Sequence, residues 1–332
     1  MRSLHEWFRR IVKRDEARER GFILIVVISA LGVLALVAGS FAQITSSHVR
    51  TAASAVQSAG AEALADAGVQ LAILDLVAGQ PTDAPRRRFA LDGTAQACEA
   101  NEANVLVISV QDEAGKVDVN SADERLIRAL FTALAVPASA AATDALLDFR
   151  DADGDRRPQG AERAEYLAVG RQGPKNAKLN VVDELEQVLG LSAADVARLR
   201  PHVTVYSGQS RIVPSLASTS LVSLLSRQSA STAPADASAT KEPATKEDAE
   251  SESFLRQVPR EFAGGSGGRY FSVRSEAHAG RVIFVREAIV ELGTSRARPY
   301  VLHRWYRGSV RSDGRVQGAD GGTLPRCRSG AP

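Results

Sequence analysis

Residues 21–47 read GFILIVVISALGVLALVAGSFAQITSS and contain no charged side chain. The apolar core, Phe22 to Ala42, has the length of about 20 residues that a helix needs to cross the hydrocarbon of a bilayer. The preceding segment, MRSLHEWFRRIVKRDEARER, carries seven Lys/Arg against four Asp/Glu. Such a flank is expected to stay in the cytoplasm, which sends everything after Ala42 to the periplasm. A secretory signal would have a shorter apolar region closed by a small-residue cleavage site. On hydropathy alone an uncleaved anchor fits equally well.

Beyond the span, Val49, Ala53, Val56, Gly60, Ala63, Ala67, Leu71, Leu74 and Ala78 recur every three or four residues, one stripe of a helix. No proline interrupts residues 22–80, and Gly79-Gln80-Pro81 is a stop signal. The pattern predicts one long helix, apolar in its first half and amphipathic in its second. Small residues on the stripe would let a sheet or a neighbouring helix approach closely. A coiled-coil stalk fits less well, because its seam wants branched residues.

Residues 82–103 read as a loop, Asn104 to Val110 as a strand, Glu113 to Lys116 as a turn and Lys116 to Asn120 as a second short strand. The character then changes to short helices. One is expected after a Ser121 cap with Glu124 completing a capping box, another over Asp144–Phe149, and a pair over Asp183–Leu189 and Ser192–Leu199. Val203 to Tyr206 reads as a strand. Ser226 to Ser253 is dominated by Ser, Ala, Thr, Pro, Lys and Glu, a composition that cannot bury enough apolar surface to order itself. Strands follow over Arg269–Arg274, Val282–Leu292 and Pro299–Arg307. The expected organisation is a leader (1–21), a span (22–42), the periplasmic part of the helix (43–80), the first part of a sheet (81–120), a helical subdomain (121–206), a flexible insertion (207–268), closing strands (269–308) and a disordered tail (309–332). This is an α+β protein.

Across 332 residues, 41 Lys/Arg nearly balance 39 Asp/Glu, which gives no reason to expect a polyanionic partner for the whole chain. Cys98 and Cys327 are far apart and lack the spacing of a zinc or dithiol motif; a disulfide is permitted if the domain is periplasmic. The histidines His5, His48, His202, His278 and His303 are dispersed, and no phosphate loop or nucleophile elbow occurs, so no catalysis is expected.

The junction Glu19-Arg20-Gly21-Phe22-Ile23-Leu24 resembles the type III signal of type IV pilins and type II secretion pseudopilins. That resemblance implies cleavage by a prepilin peptidase between Gly21 and Phe22, N-methylation of Phe22 and retention of the helix in the bacterial inner membrane as a single pass. Further along come Val117-Asp118-Val119-Asn120, Leu146-Leu147-Asp148-Phe149-Arg150-Asp151-Ala152-Asp153 and Arg157-Pro158-Gln159-Gly160-Ala161-Glu162. Tyr166, Lys175-Asn176-Ala177-Lys178-Leu179, Asp183-Glu184-Leu185, Val188-Leu189-Gly190-Leu191 and Pro201-His202-Val203-Thr204-Val205 follow in order. Together they resemble general secretion pathway protein K, the large minor pseudopilin of the type II secretion system, over roughly residues 15–215. The resemblance implies a pseudopilin fold with a long N-terminal helix packed on an antiparallel sheet and an inserted all-helical subdomain. It also implies partners among the other minor pseudopilins, the prepilin peptidase and the inner-membrane assembly platform, with no required cofactor.

A membrane-anchored helix-hairpin-helix DNA-binding protein is the alternative, because Asp183-Glu184-Leu185 and Val188-Leu189-Gly190-Leu191 resemble that module. The module needs a second glycine where Ser192 stands. Residues 118–206 also hold 14 acidic and 11 basic side chains, the wrong balance for phosphate, so no nucleic-acid partner is expected.

Two further expectations concern single residues. Asp151, Asp153, Asp155 and Glu162 have the spacing of a twelve-residue Ca²⁺ loop, although Arg156 stands where that loop needs glycine. They are candidate calcium ligands in another backbone path, with Asp148 or Glu165, and the protein K resemblance implies calcium in the helical insert. The bland alternative is a solvated acidic loop neutralised by Arg150, Arg156, Arg157 and Arg163. Pilins commonly carry Glu as the fifth mature residue, to pair with the preceding subunit's ammonium. Here that residue is Val26, which suits a first subunit at the pseudopilus tip, or a protein that never polymerises.

Overall fold

The computed structural model describes residues 2–78, 87–101, 104–230, 258–295, 297–310 and 326–327. The chain divides into two compact units, Met1–Gly60 and Ala61–Pro332. Helix α1 runs over Arg2–Ala78 and therefore takes in the charged leader as well as the expected span. The leader has no proline, and its only glycine is Gly21, so nothing in it stops a helix. In the first unit, Phe22 and residues 24–60 are solvent-exposed. The stretch Leu24–Ala78 is the one described helix long and apolar enough to cross a membrane, which fits single-pass anchoring. Two of its hydroxyls bond within the helix: Ser40 Oγ donates to the Leu36 carbonyl (2.8 Å) and Thr45 Oγ1 to that of Phe41 (2.9 Å), the pattern that suits a hydrocarbon setting.

The second unit holds two hydrophobic cores. In one, residues 61–76 of α1 pack on a five-stranded antiparallel sheet of order β1-β2-β5-β6-β7. The strands are β1 (Gln96–Asn101), β2 (Asn104–Asp112), β5 (Tyr270–Ala279), β6 (Val282–Ser295) and β7 (Arg298–Arg307). Buried and half-buried residues alternate along β5, the period that one covered face dictates. The predicted closing strands are present: β5 pairs with β2 over nine residues, β6 with β5 and β7 with β6, so the sheet begun at Val105 is completed by the later part of the sequence.

The helix face that packs is Ala61, Ala65, Gly68, Val69, Ala72, Ile73 and Leu76. Ala63, Ala67 and Leu74 of the predicted stripe point to solvent instead. So many positions here are Ala or Gly that the period survives while its phase does not, and the true face lies about one residue, roughly 100°, around the helix. Gly68 sets the approach: a Cβ there would overlap Ser275 Oγ on β5. Arg286 of β6 closes the contact, with Nε on Asp66 (2.5 Å) and a terminal nitrogen on Glu62 (2.6 Å). Its guanidinium also lies over the Phe284 and Trp305 rings.

Part of the expected 82–103 loop is the strand β1, which pairs antiparallel with β2. Gln96-Ala97-Cys98 has little intrinsic β preference; pairing creates the strand. Cys98 forms a disulfide with Cys327, and Cys327 N–H donates to the Ala97 carbonyl (2.9 Å). Residues 311–325 and 328–332 of the expected disordered tail, and residues 231–257 of the Ser-rich insertion, lie outside the described residues.

The second core belongs to the inserted subdomain. Its helices are α2 (Glu124–Ala133), α3 (Ser139–Arg150), α4 (Arg163–Ala168), α5 (Ala193–Leu199) and α6 (Thr219–Ala230), with a 3-10 turn over Val182–Gln187. Leu126, Leu130, Phe131, Leu146, Phe149 and Tyr166 are among its fully buried side chains. Helix α6 falls inside the stretch expected to be flexible and buries Leu221, Val222 and Leu225 in this core. The short strand β3 (Val117–Asp118) does not return to the large sheet. It pairs in parallel with β4 (Val203–Thr204) at the root of the insert. The Ser121 cap is also corrected: α2 starts after Asp123, and Ser121 N–H instead donates to the buried Asp118 carboxylate (3.1 Å). That carboxylate also accepts from Asn120 N–H (2.8 Å) and Gly208 N–H (2.7 Å), fastening both ends of the insert.

Candidate functional site

Helix α3 presents Asp144 and Asp148 on a buried face, and the chain after it folds back over them. Asp148 is fully buried and accepts from Arg157 N–H (3.2 Å), while Asp144 accepts from Gln159 N–H (3.1 Å). Gly160 is required at this fold-back, since a Cβ there would overlap Asp148 Oδ2. Asp151 closes α3, and its N–H still donates to the Leu147 carbonyl (3.1 Å). Glu162 begins α4, where Glu165 accepts from the Glu162 N–H (3.0 Å). Asn176, in the left-handed region at φ 47°, arrives from the following loop and donates to the Asp153 carbonyl (2.7 Å).

The predicted acidic residues therefore divide. Asp153 and Asp155 are exposed, and Asp153 Oδ1 accepts from Asp155 N–H (3.0 Å), so the alternating spacing makes a local turn. Asp148 is occupied with the fold-back, and Glu165 with the start of α4. Asp151 Oδ1, Glu162 Oε1 and Asn176 Oδ1 are buried oxygens without a hydrogen-bond partner. Glu162 as a whole is 7% exposed. Burial foremost, then repulsion from neighbouring carboxylates, pushes the carboxyls of Asp151 and Glu162 above their ordinary values. Asp148 is raised by burial as well, against the pull of Arg157.

Among the described residues no three His, Cys, Asp or Glu side chains form a ready metal cage. The orphaned set supplies two carboxylates and one amide, and an amide lies outside that definition. Hard, partly anionic oxygens left unpaired in a buried setting are the donor chemistry that suits Ca²⁺. The sequence does not mark Asn176, because it reaches the loop from 25 residues after Asp151 and no spacing rule applies to it.

Gly21, Phe22 and Val26 lie within the unbroken α1, so the bond expected to be cut is helical and the Val26 side chain is exposed. At the proposed hairpin, Ser192 caps α5 by accepting from Asp195 N–H (3.2 Å), and Asp195 accepts in return from Ser192 N–H (3.0 Å). A carboxylate fills the helix start that a phosphate would have to occupy, which is hostile to DNA.

Residues 102–208 match the family model described as type II secretion system (T2SS), protein K, and over this segment the resemblance drawn from the sequence is borne out. No curated protein matches. Among solved structures, the chain is similar to one in the crystal structure of the GspK-GspI-GspJ complex from the enterotoxigenic Escherichia coli type 2 secretion system. The identity is 17%, the TM-score 0.49, and the match covers 80% of this chain and 99% of that one.

Proposed function

From the protein K match over residues 102–208, we propose that this chain is a minor pseudopilin of the type II secretion system that sits at the pseudopilus tip, initiates assembly and supports protein export across the outer membrane. It is made as a precursor, cut by the prepilin peptidase between Gly21 and Phe22, and held by residues 22–42 in the inner membrane. Its N-terminus is cytoplasmic and its folded domain periplasmic. Val26 carries the tip assignment. No acidic side chain lies between Gly21 and Glu62, so this subunit has no carboxylate to offer the ammonium of a subunit above it. A first subunit needs none, while its own Phe22 ammonium remains available to the Glu of the next. The helical insert agrees, because a bulky domain is easily housed at an end and hard to repeat along a shaft.

The acidic loop is a calcium site in this reading, with Asp151, Glu162 and Asn176 as the preformed oxygens. Bound there, the ion would supply the positive charge that these buried acceptors lack. The chain's part is structural: it ties the end of α3 to the start of α4 and to the loop that carries Asn176.

Val26→Glu tests the tip assignment. Secretion and co-purification with other minor pseudopilins should be unchanged or reduced, and a clear gain in assembly would make this a shaft subunit. Calorimetry tests the calcium: millimolar Ca²⁺ should bind with measurable heat and raise the melting temperature, and the absence of both would leave only a solvated acidic loop.

A further inference from the structure

Around the acidic loop the arginines are not equivalent. Arg150 is committed to the insert's backbone, with its two terminal nitrogens on the carbonyls of Val119 (2.7 Å) and Ala122 (2.9 Å). Arg156 faces outward to Glu165 at 3.4 Å. Arg157 points its guanidinium into the cluster, and its charge acts on both Asp148 and Asp151. Its side-chain grip is loose. Nε is 3.5 Å from Asp148 Oδ1, a terminal nitrogen is 3.5 Å from Glu124 Oε2, and the buried Nε makes no hydrogen bond at all. Arginine normally meets carboxylates through a paired, close fork. Here a cation sits among carboxylates without the geometry that would fix it.

We infer that Arg157 is a built-in stand-in for the divalent cation: it neutralises the cluster of Asp148, Asp151 and Glu162 in the metal-free protein and opposes the metal for the same negative charge. The inference rests on the calcium reading above. Its independent support is Glu162, buried and with Oε1 unpartnered, which faces the charges of Asp148 and Asp151, the same two carboxylates on which Arg157 acts. An unbonded Nε held 3.5 Å from Asp148 and an unbonded Glu162 oxygen facing the same carboxylates are arranged for charge balance and not for mutual bonding. The consequence is a site with tuned affinity. Arg157 keeps the insert folded when calcium is scarce and must be screened or displaced as the ion enters, so the site fills at a higher calcium concentration than its oxygens alone would set.

The test uses the full-length protein in detergent, titrated calorimetrically with CaCl₂ and melted in EDTA, as wild type, Arg157→Gln and Arg157→Lys. The Arg157 side chain is 39% exposed, so neither change should prevent folding. Removing the charge should tighten Ca²⁺ binding about tenfold, equivalent to about 1.4 kcal/mol, while lowering the melting temperature in EDTA. Arg157→Lys keeps the charge and should stay close to wild type in both. A merely structural arginine would weaken both properties on removal. Binding by Arg157→Gln equal to or weaker than wild type, or equally tight binding by Arg157→Lys and Arg157→Gln, would overturn the inference and leave the calcium site standing. No heat and no melting shift in either wild type or Arg157→Gln would remove the calcium reading and the inference together.

Discussion

The helix-on-sheet module and the helical insert solve the same burial problem with different residues. Where α1 meets the sheet, Ala61, Ala65, Gly68 and Ala72 bring two backbones close, and the large residues come from the strands. In the insert, Phe131, Phe149 and Tyr166 fill the space between short helices. Polar groups differ more. The sheet module pairs Arg286 with two carboxylates and leaves the neutral Ser275 hydroxyl unpartnered. The insert leaves Asp151, Glu162, Asn176, the Arg157 Nε and His202 Nδ1 without partners. Among the described residues, the buried carboxylate oxygens that make no hydrogen bond both lie in the insert. A scaffold that only has to present a helix can be closed, whereas unsatisfied groups in the insert are what the proposed calcium site would use.

Four measurements would break or sharpen this contrast. The largest effect should come from the covalent tie in the sheet module. The Cys98–Cys327 disulfide spans 229 residues, and on chain-entropy grounds removing it by Cys98→Ser with Cys327→Ser should cost about 5 kcal/mol in denaturant unfolding. A loss below about 1 kcal/mol would mean that β1 is held by its ladder alone. In the insert, Phe131→Ala should cost about 4 kcal/mol by opening a cavity among large side chains. A much smaller loss would show that the insert core is loosely packed. Gly68→Ala should cost about 2 kcal/mol by pushing α1 off β5. Adding Ser275→Ala should recover much of that loss, and strict additivity of the two changes would refute the close contact.

The smallest effect concerns pH. Burial, and secondarily the charge of Lys116, lowers the His202 pKa from its ordinary 6.5, so the folded protein keeps this imidazole neutral. The unfolded chain therefore takes up its proton first on acidification. Stability should be full above pH 6.5 and decline as pH falls below it toward the folded value. His202→Gln should flatten that decline, and an unchanged slope in this variant would assign it to other groups.

The sequence made different parts of the molecule legible for different reasons. Strands β5 to β7 were readable as β-rich runs separated at Gly280 and Gly293, with clear alternation only in β5, and α1 because no proline interrupts residues 22–78. The phase of α1 was not readable, since Ala and Gly occupy both the covered face and the open one. Strand β1 and helix α6 were missed because Gln96-Ala97-Cys98 and Thr219-Ser220-Leu221 look like loop until a partner is present. At the acidic loop the spacing did not separate Asp151 and Glu162, which have buried unbonded oxygens, from Asp153 and Asp155, which face solvent. Asn176 and Arg157 are brought to the loop by chain returning after α3, which no local pattern encodes.

The pseudopilin reading passes through the junction at Gly21-Phe22, because an uncut anchor could not be a pseudopilin. Mass spectrometry of the N-terminus of protein purified from membranes tests it directly. The predicted result is a chain that begins at N-methylated Phe22 and retains Phe22–Ala42. A chain that begins at Met1, or one that has lost the apolar segment, would contradict it.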